Sequence, residues 1–250
     1  GDAKKLKQTM TADRVLIATG AKPRELPFAL TDGKQIISSY DAMNLPKKPE
    51  SMVIVGSGAI GMEFAYFYNA FGTKVTVVEL VDRILPIEDD DISKLALRSF
   101  TKQGMTFHVG HTVKAATKSK TGVKVTIVDV NDDKKTQDLE CEILMVAIGV
   151  QARMDGLCDD SLGLKLEKGY VKTDYRDPAS KAPAYKTSVP GIYAIGDIIG
   201  PPWVGHVAME EAVTAVERMA NHHTIGIDYN MIPGCTYCNP QIASIGKTER

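Results

Sequence analysis

The chain has no apolar run long enough to cross a bilayer, since a membrane helix needs about 20 consecutive apolar residues. No apolar stretch follows Gly1-Asp2-Ala3-Lys4-Lys5 either, so a secretory leader is not expected. Cysteine is scarce: there are four in 250 residues, scattered apart from Cys235 and Cys238. That usage argues against a disulfide scaffold and for a reducing compartment, so a cytoplasmic location is expected. Neither sign of charge dominates. Thirty Lys and Arg stand against 31 Asp and Glu, with no long basic patch, and neither nucleic acid nor a membrane is expected as a partner. The first residue is not methionine, and Lys247-Thr248-Glu249-Arg250 stops just after a strand-like run. Both ends read as cut.

With 44% hydrophobic residues over 250 positions, there is room for one large or two small domains with real cores. The run Val53-Ile54-Val55-Gly56-Ser57-Gly58-Ala59-Ile60-Gly61 is the most informative segment. It reads as a strand buried on both faces followed by a G-x-G-x-x-G turn. Ile60, Phe64, Ala65, Phe67, Tyr68 and Phe71 then recur at helical spacing, and Gly72 supplies the stop. Lys74 to Glu79 forms the next strand and ends in an acid. Each part suits a dinucleotide. Gly56 allows a tight turn, Gly58 lets backbone N–H groups approach a pyrophosphate, and Gly61 lets the helix pack close to the sheet. The phosphates would meet the positive end of the helix dipole. Glu79 would accept hydrogen bonds from the adenosine ribose hydroxyls. A 2′-phosphate there would meet a like charge, so NAD is favoured over NADP.

A second pattern occurs three times: Asp13 to Gly20, Glu142 to Gly149 and Pro190 to Asp197 each hold an apolar strand running into glycine. Such glycines suit a backbone lying against something flat or charged, although core strands with loop glycines read the same way. Leu45-Pro46-Lys47-Lys48-Pro49 reads as a linker. A hairpin is expected between Val125–Val130 and Leu139–Val146 through Asn131-Asp132-Asp133. Ala208, Ala212, Val213, Ala215, Val216, Met219 and Ala220 make the apolar stripe of a helix over 207–220. The stretch Thr236 to Ile245 reads as the opening strand of a further domain with no partner left. The acidic run Glu88-Asp89-Asp90-Asp91 reads as a helix N-terminus. It lacks the alternating ligand spacing of a calcium loop, and no metal site is expected.

The Gly56–Glu79 unit, set beside Ala18-Thr19-Gly20-Ala21 and Ala194-Ile195-Gly196-Asp197, resembles the flavin-dependent pyridine nucleotide–disulfide oxidoreductases. Within that family, Gly58 to Tyr68 is most similar to the dihydrolipoamide dehydrogenases, and Tyr237 to Gly246 resembles the entry into the dimer domain. The resemblance covers essentially the whole chain and corresponds to the middle of a longer enzyme. It implies an α/β fold: a two-domain, Rossmann-like FAD/NAD(P)-binding architecture with a parallel central sheet and an antiparallel β-meander. Residues 1–46 and 150–222 would be parts of a split FAD-binding domain, 47–149 an inserted NAD-binding domain, and 223–250 the start of a dimerisation domain. FAD and NAD are the implied cofactors. The family's NAD contacts fall on Gly56, Ser57, Gly58, Ala59, Ile60, Gly61, Met62, Glu63, Glu79, Val113 and Gly149. Its FAD contacts fall on Thr19, Gly20, Ala21, Asp197, Trp203, Val204, Gly205 and His206. Asp197 would bind the ribityl chain, and the helix after His206 would stabilise negative charge on a reduced flavin. Ala59, where glutathione reductases carry a tyrosine lid, would leave the nicotinamide pocket open.

Glu63 is the implied supporting catalytic residue. The family pairs it with a lysine that this sequence does not hold, so Glu63 is expected to be hydrated or re-paired rather than buried alone. The family's redox disulfide has two cysteines separated by four residues, a spacing absent among Cys141, Cys158, Cys235 and Cys238. Its first G-x-G-x-x-G and its catalytic His-Glu pair are absent too, so His108, His111, His206, His222 and His223 are not nominated as the base. His222 and His223 are expected at an exposed helix end. Cys235-Thr236-Tyr237-Cys238 is a lone C-x-x-C, and a zinc site would need two more ligands. The resemblance implies flavin-dependent oxidation of a small dithiol, dihydrolipoamide, with NAD as hydride acceptor. The enzyme would be a homodimer and a component of a 2-oxo acid dehydrogenase complex. The stretch itself should bind NAD, retain flavin weakly, and not catalyse the whole reaction. The alternatives are another member of the superfamily, mercuric reductase-like or transhydrogenase-like, or a non-catalytic NAD-binding module.

Overall fold

The computed structural model describes residues 8–176 and 183–249. The opening Gly1-Asp2-Ala3-Lys4-Lys5 and the terminal Arg250 lie outside them. In chain order the elements are β1 (Val15–Ile17), β2 (Ala21–Pro23), β3 (Ile36–Ile37), α1 (Ser39–Ala42), β4 (Ser51–Val55), α2 (Ala59–Ala70), β5 (Lys74–Glu79), α3 (Asp90–Lys102) and β6 (Thr106–Val109). Then come β7 (His111–Lys118), β8 (Val123–Asp129), β9 (Asp132–Cys141), β10 (Ile143–Val146), β11 (Val150–Ala152), β12 (Leu166–Glu167) and β13 (Tyr170–Val171). The last are β14 (Ile192–Ala194), α4 (Gly205–Met219), β15 (Gly234–Thr236) and β16 (Ile242–Ser244). The chain divides into two compact units, one of residues 23–149 with 230–250, the other of 1–22 with 150–229.

The central unit is built on a five-stranded parallel sheet in the order β3-β10-β4-β5-β6. Its inner strands β4 and β10 read as near-continuous apolar runs because both faces are covered, and the period-two rule sorts the side chains. Met52, Ile54, Val75, Val77 and Met145 share one core with Met62, Ala65 and Phe100 from α2 and α3. Val53, Val55, Val78, Leu144 and Val146 share another with Val113, Val125 and Ile127 of the antiparallel sheet β7-β8-β9. Helix α2 buries Gly61, Met62, Ala65 and Tyr68, a helical stripe. The fold is α/β with a parallel central sheet and an antiparallel meander.

Two expectations need correction. The arm opposite Val125–Val130 does not run on to Val146. β8 pairs with Asp132–Cys141, and the chain then leaves the meander, so that Ile143–Val146 joins the parallel sheet beside β4. The break is pinned at Glu142, whose N–H donates to Ser51 Oγ at 3.0 Å and whose carboxylate accepts from Glu50 N–H at 2.8 Å. The tail strand is also not partnerless: Gly234–Thr236 pairs antiparallel with Ile242–Ser244. The acidic run does start a helix, with Asp89 at the N-cap of α3 and Asp90 and Asp91 in its first turn.

In the other unit, β1 and β14 pair in parallel, so two of the three glycine-ended strands lie side by side. Helix α4 packs on them through Ala215 and Ala212, with Ile17, Ala194 and Ile198. His222 and His223 are exposed just past its end. Among the described residues, no helix is long and apolar enough to cross a membrane.

Candidate dinucleotide-binding site

The site of the central unit lies where β4 and β5 end. Gly56 N–H donates to Val78 carbonyl at 2.8 Å, stitching the two strand ends together. Gly56 has φ +100°, and a Cβ on it would stand 2.4 Å from the Ala147 carbonyl oxygen. A Cβ on Gly61 would stand 2.0 Å from the carbonyl oxygen of Gly56. Both glycines are therefore required by the fold itself. Gly58 differs: its φ is −67°, and a Cβ there would meet nothing within 4 Å. Gly58 is the N-cap of α2 and offers no side-chain cap, so the first-turn N–H groups face an open cradle.

Glu79 closes the other side of the loop. Its Oε2 accepts from Ser57 N–H and from Ser57 Oγ–H, both at 2.7 Å, and its Oε1 accepts from Val81 N–H at 3.1 Å. Glu79 is 8% exposed and Ser57 fully buried. A carboxylate offers about four acceptor positions, so Glu79 keeps one for a ligand hydroxyl.

The expected nucleotide contacts divide into three kinds. Gly56, Ser57, Gly58, Ala59, Ile60, Gly61, Met62, Glu63 and Glu79 come together around this loop, and the Ala147–Gly149 turn lies against Gly56. Met62 and Val113 have buried side chains in the two cores, so only their backbones could reach a ligand. Glu63 is half-buried, and its Oε1 accepts from Tyr237 N–H at 2.8 Å. It is re-paired rather than isolated, as expected. Nearby Cys238 is buried, and burial, reinforced by Glu63, raises its thiol pKa.

The second candidate set lies in the other unit. Gly20 carbonyl accepts from Arg153 N–H at 3.0 Å, and Thr19 Oγ donates to the Arg153 carbonyl at 3.3 Å. Ala21 is buried. Gly196 (φ +72°) opens the short turn that carries Asp197. Asp197 is half-buried, burial raises its pKa, and among the described residues no donor reaches its carboxylate. Trp203 is 40% exposed and packs against Tyr170 with ring centroids 5.9 Å apart. Val204 is the N-cap of α4 without a side-chain cap, and Gly205 and His206 are exposed in its first turn. A lone half-buried carboxylate suits a polyol, and an uncapped helix start suits negative charge.

The sequence reading missed Glu211. It is 3% exposed; its Oε2 accepts from Gly196 N–H at 2.6 Å and its Oε1 from Tyr229 O–H at 2.7 Å. Tyr229 and Tyr185 hydroxyls lie 3.1 Å apart. Burial, with the negative charges of Glu211 and Asp174 and against the Tyr229 hydrogen bond, pushes the Tyr185 pKa up to about 12. A charged residue at helical spacing from Val207 and Ala215 was the available signal.

The sequence pattern described as pyridine nucleotide-disulphide oxidoreductase matches residues 2–218. The chain belongs to this family. It is 41% identical over 238 residues to a dihydrolipoyl dehydrogenase of Chlorobaculum tepidum, covering 95% of this chain and 49% of that protein. It is 40% identical to the dihydrolipoyl dehydrogenase of Rhizobium etli, over 96% and 48% of the two chains. The chain thus spans about half the length of the curated relatives it matches. Among solved structures, LpdA from Mycobacterium tuberculosis superposes with a TM-score of 0.83 at 30% identity, covering 94% of this chain and 49% of that one. The HOCl-induced flavoprotein disulfide reductase RclA from Escherichia coli shares the fold, with a TM-score of 0.81 at 23% identity over 94% and 52%. For this member of the pyridine nucleotide–disulphide oxidoreductases, the residues fit both cofactors of its relatives' chemistry. The open cradle at Gly58 suits a diphosphate, and the unpartnered Asp197 suits a ribityl chain.

Proposed function

We propose that this chain supplies the NAD-binding module and part of the flavin-binding surface of a flavoprotein that oxidises dihydrolipoamide with NAD as acceptor. One observation carries the reading: the loop after β4 leaves Gly58 and the first turn of α2 open, while Glu79 is fixed beside it with one acceptor position unused. Bound flavin and nicotinamide would supply the electron and hydride transfer. The chain's own work is to bind and orient. The α2 amides hold the pyrophosphate, Glu79 takes a ribose hydroxyl, and Asp197 takes a ribityl hydroxyl. Gly149, in the turn between β10 and β11, would border the same crevice. The N-terminus of α4 favours negative charge near Trp203 to His206. Glu63, whose Oε1 accepts from the Tyr237 amide, is the proposed supporting catalytic residue.

The identities near 40% with dihydrolipoyl dehydrogenases support the dithiol substrate. They also support a homodimer working within a 2-oxo acid dehydrogenase complex in the cytoplasm. The domain limits 1–46, 47–149, 150–222 and 223–250 go with this reading. A nucleotide-binding module without chemistry would have no use for a half-buried carboxylate at Asp197. The test is separate titration of the purified chain with NADH and NADPH, followed by nucleotide fluorescence. NADH should bind, and at least tenfold more tightly, a difference of about 1.4 kcal/mol. Absence of NADH binding, or preference for NADPH, would overturn the reading.

A further inference from the structure

We propose that Ser57 is a coenzyme-specificity residue that acts through Glu79: its hydroxyl locks the carboxylate in the one orientation that refuses a 2′-phosphate. This rests on the dinucleotide reading above. Ser57 is fully buried, so its side chain does not face the cradle that its neighbours Gly56 and Gly58 shape. Its hydroxyl and its own amide instead converge on a single oxygen, Oε2 of Glu79, each at 2.7 Å. Its carbonyl accepts from Leu85 N–H at 2.9 Å, in the loop that follows Glu79. One residue therefore ties the glycine turn to the acid and to the segment beyond it.

The consequence follows from the geometry of a long side chain. A glutamate at a strand end can rotate about three single bonds and swing away from an unwelcome charge. With both acceptor positions of Oε2 filled by Ser57 and Oε1 held by Val81 N–H, swinging away sacrifices three hydrogen bonds to a charged group. The carboxylate stays, and a phosphate brought to it meets like charge. Removing the hydroxyl frees one of those positions and loosens the lock. The acid remains, but its power to discriminate falls.

The experiment measures NADH and NADPH dissociation constants for the full chain as wild type, Ser57→Ala, Glu79→Gln and the double variant, with a thermal melt of each. In Ser57→Ala the NADH preference should fall about tenfold, chiefly through tighter NADPH binding, with the melting transition retained. In the Glu79→Gln background the same substitution should change the preference less than about twofold, because the charge being positioned is gone. An unchanged preference in Ser57→Ala overturns the proposal, as does an equal fall in both backgrounds. If Ser57→Ala loses its transition, Ser57→Cys, with a weaker donor of similar size, is judged by the same criterion. Wild-type chain that binds neither coenzyme overturns this proposal together with the dinucleotide reading; selective NADH binding with an indifferent Ser57→Ala overturns this proposal alone.

Discussion

Gly58 and Gly61 stand three residues apart, one at the N-cap of α2 and one in its first turn, and answer to different demands. Alanine at Gly61 would drive its Cβ to 2.0 Å from a backbone oxygen, and neither partner is a flexible side-chain tip. Gly61→Ala should cost about 3 kcal/mol, as overpacking does, and lower the midpoint of a urea melt accordingly. Alanine at Gly58 meets nothing and needs no unusual φ, so stability should change by only a few tenths of a kcal/mol. Its methyl would nevertheless occupy the space proposed for a diphosphate. NADH affinity of Gly58→Ala should fall about tenfold, measured by titration. The motif's spacing made all three glycines legible, but the sequence assigned their jobs only by analogy. The distances separate two that the fold requires from one that it does not.

At the scale of elements, α4 carries its unusual burden in Glu211. Glu211→Ala would strip Gly196 N–H of its partner and leave Tyr229 O–H with the Tyr185 hydroxyl alone. An unsatisfied group costs about 1–3 kcal/mol, so a loss of about 1–3 kcal/mol is expected in a denaturant melt. This contact was invisible in the sequence because Tyr229 lies beyond the helix, and nothing local marks it as the partner of Glu211 rather than Glu210. Strand β6 offers a pH test. Burial, and then His111 (ring centroids 5.6 Å away), lowers the pKa of His108. A folded-state pKa below the ordinary value of about 6.5 means that the unfolded chain binds the proton more readily. The chain should therefore keep its full stability above that ordinary value and lose some as pH falls through the lowered one. Melting midpoints should drop on acidification, and His108→Gln should flatten that drop. Helix and strand starts were the readable part at this scale, because α2 and β5 carry strong periodic patterns. The junction at Glu142 was not readable. An apolar run buried on two faces looks the same whether it extends a hairpin or joins a parallel sheet, and the deciding hydrogen bonds come from Glu50 and Ser51.

For the whole molecule, the two units differ in how much of their function they carry. The residues that form the Gly58 cradle and hold Glu79 fall within the central unit. The residues proposed to face a flavin, Thr19 to Ala21, Asp197 and Trp203 to His206, carry no pyrophosphate loop of their own, and the sequence outside Gly56–Gly61 supplies no second G-x-G-x-x-G. Purified chain should therefore hold well under one flavin per molecule, read from visible absorbance, while it still binds NADH. The family and the α/β class were legible because the same short motifs recur at strand ends. The exchange of residues 23–46 and 230–250 into the central unit was not, since composition does not record which neighbour a segment packs on.

The pairing of β1 with β14 also sets an order of events during synthesis. Val15 waits for Ile192 as its register partner, and everything from β3 to β10 leaves the ribosome in between. The strands of the parallel sheet and its meander can therefore pair on the nascent chain while the earlier strand is still unmatched. Ile192 then meets Val15, and the segment that brings Cys238 and Ile242 into the core of the central unit is made later still.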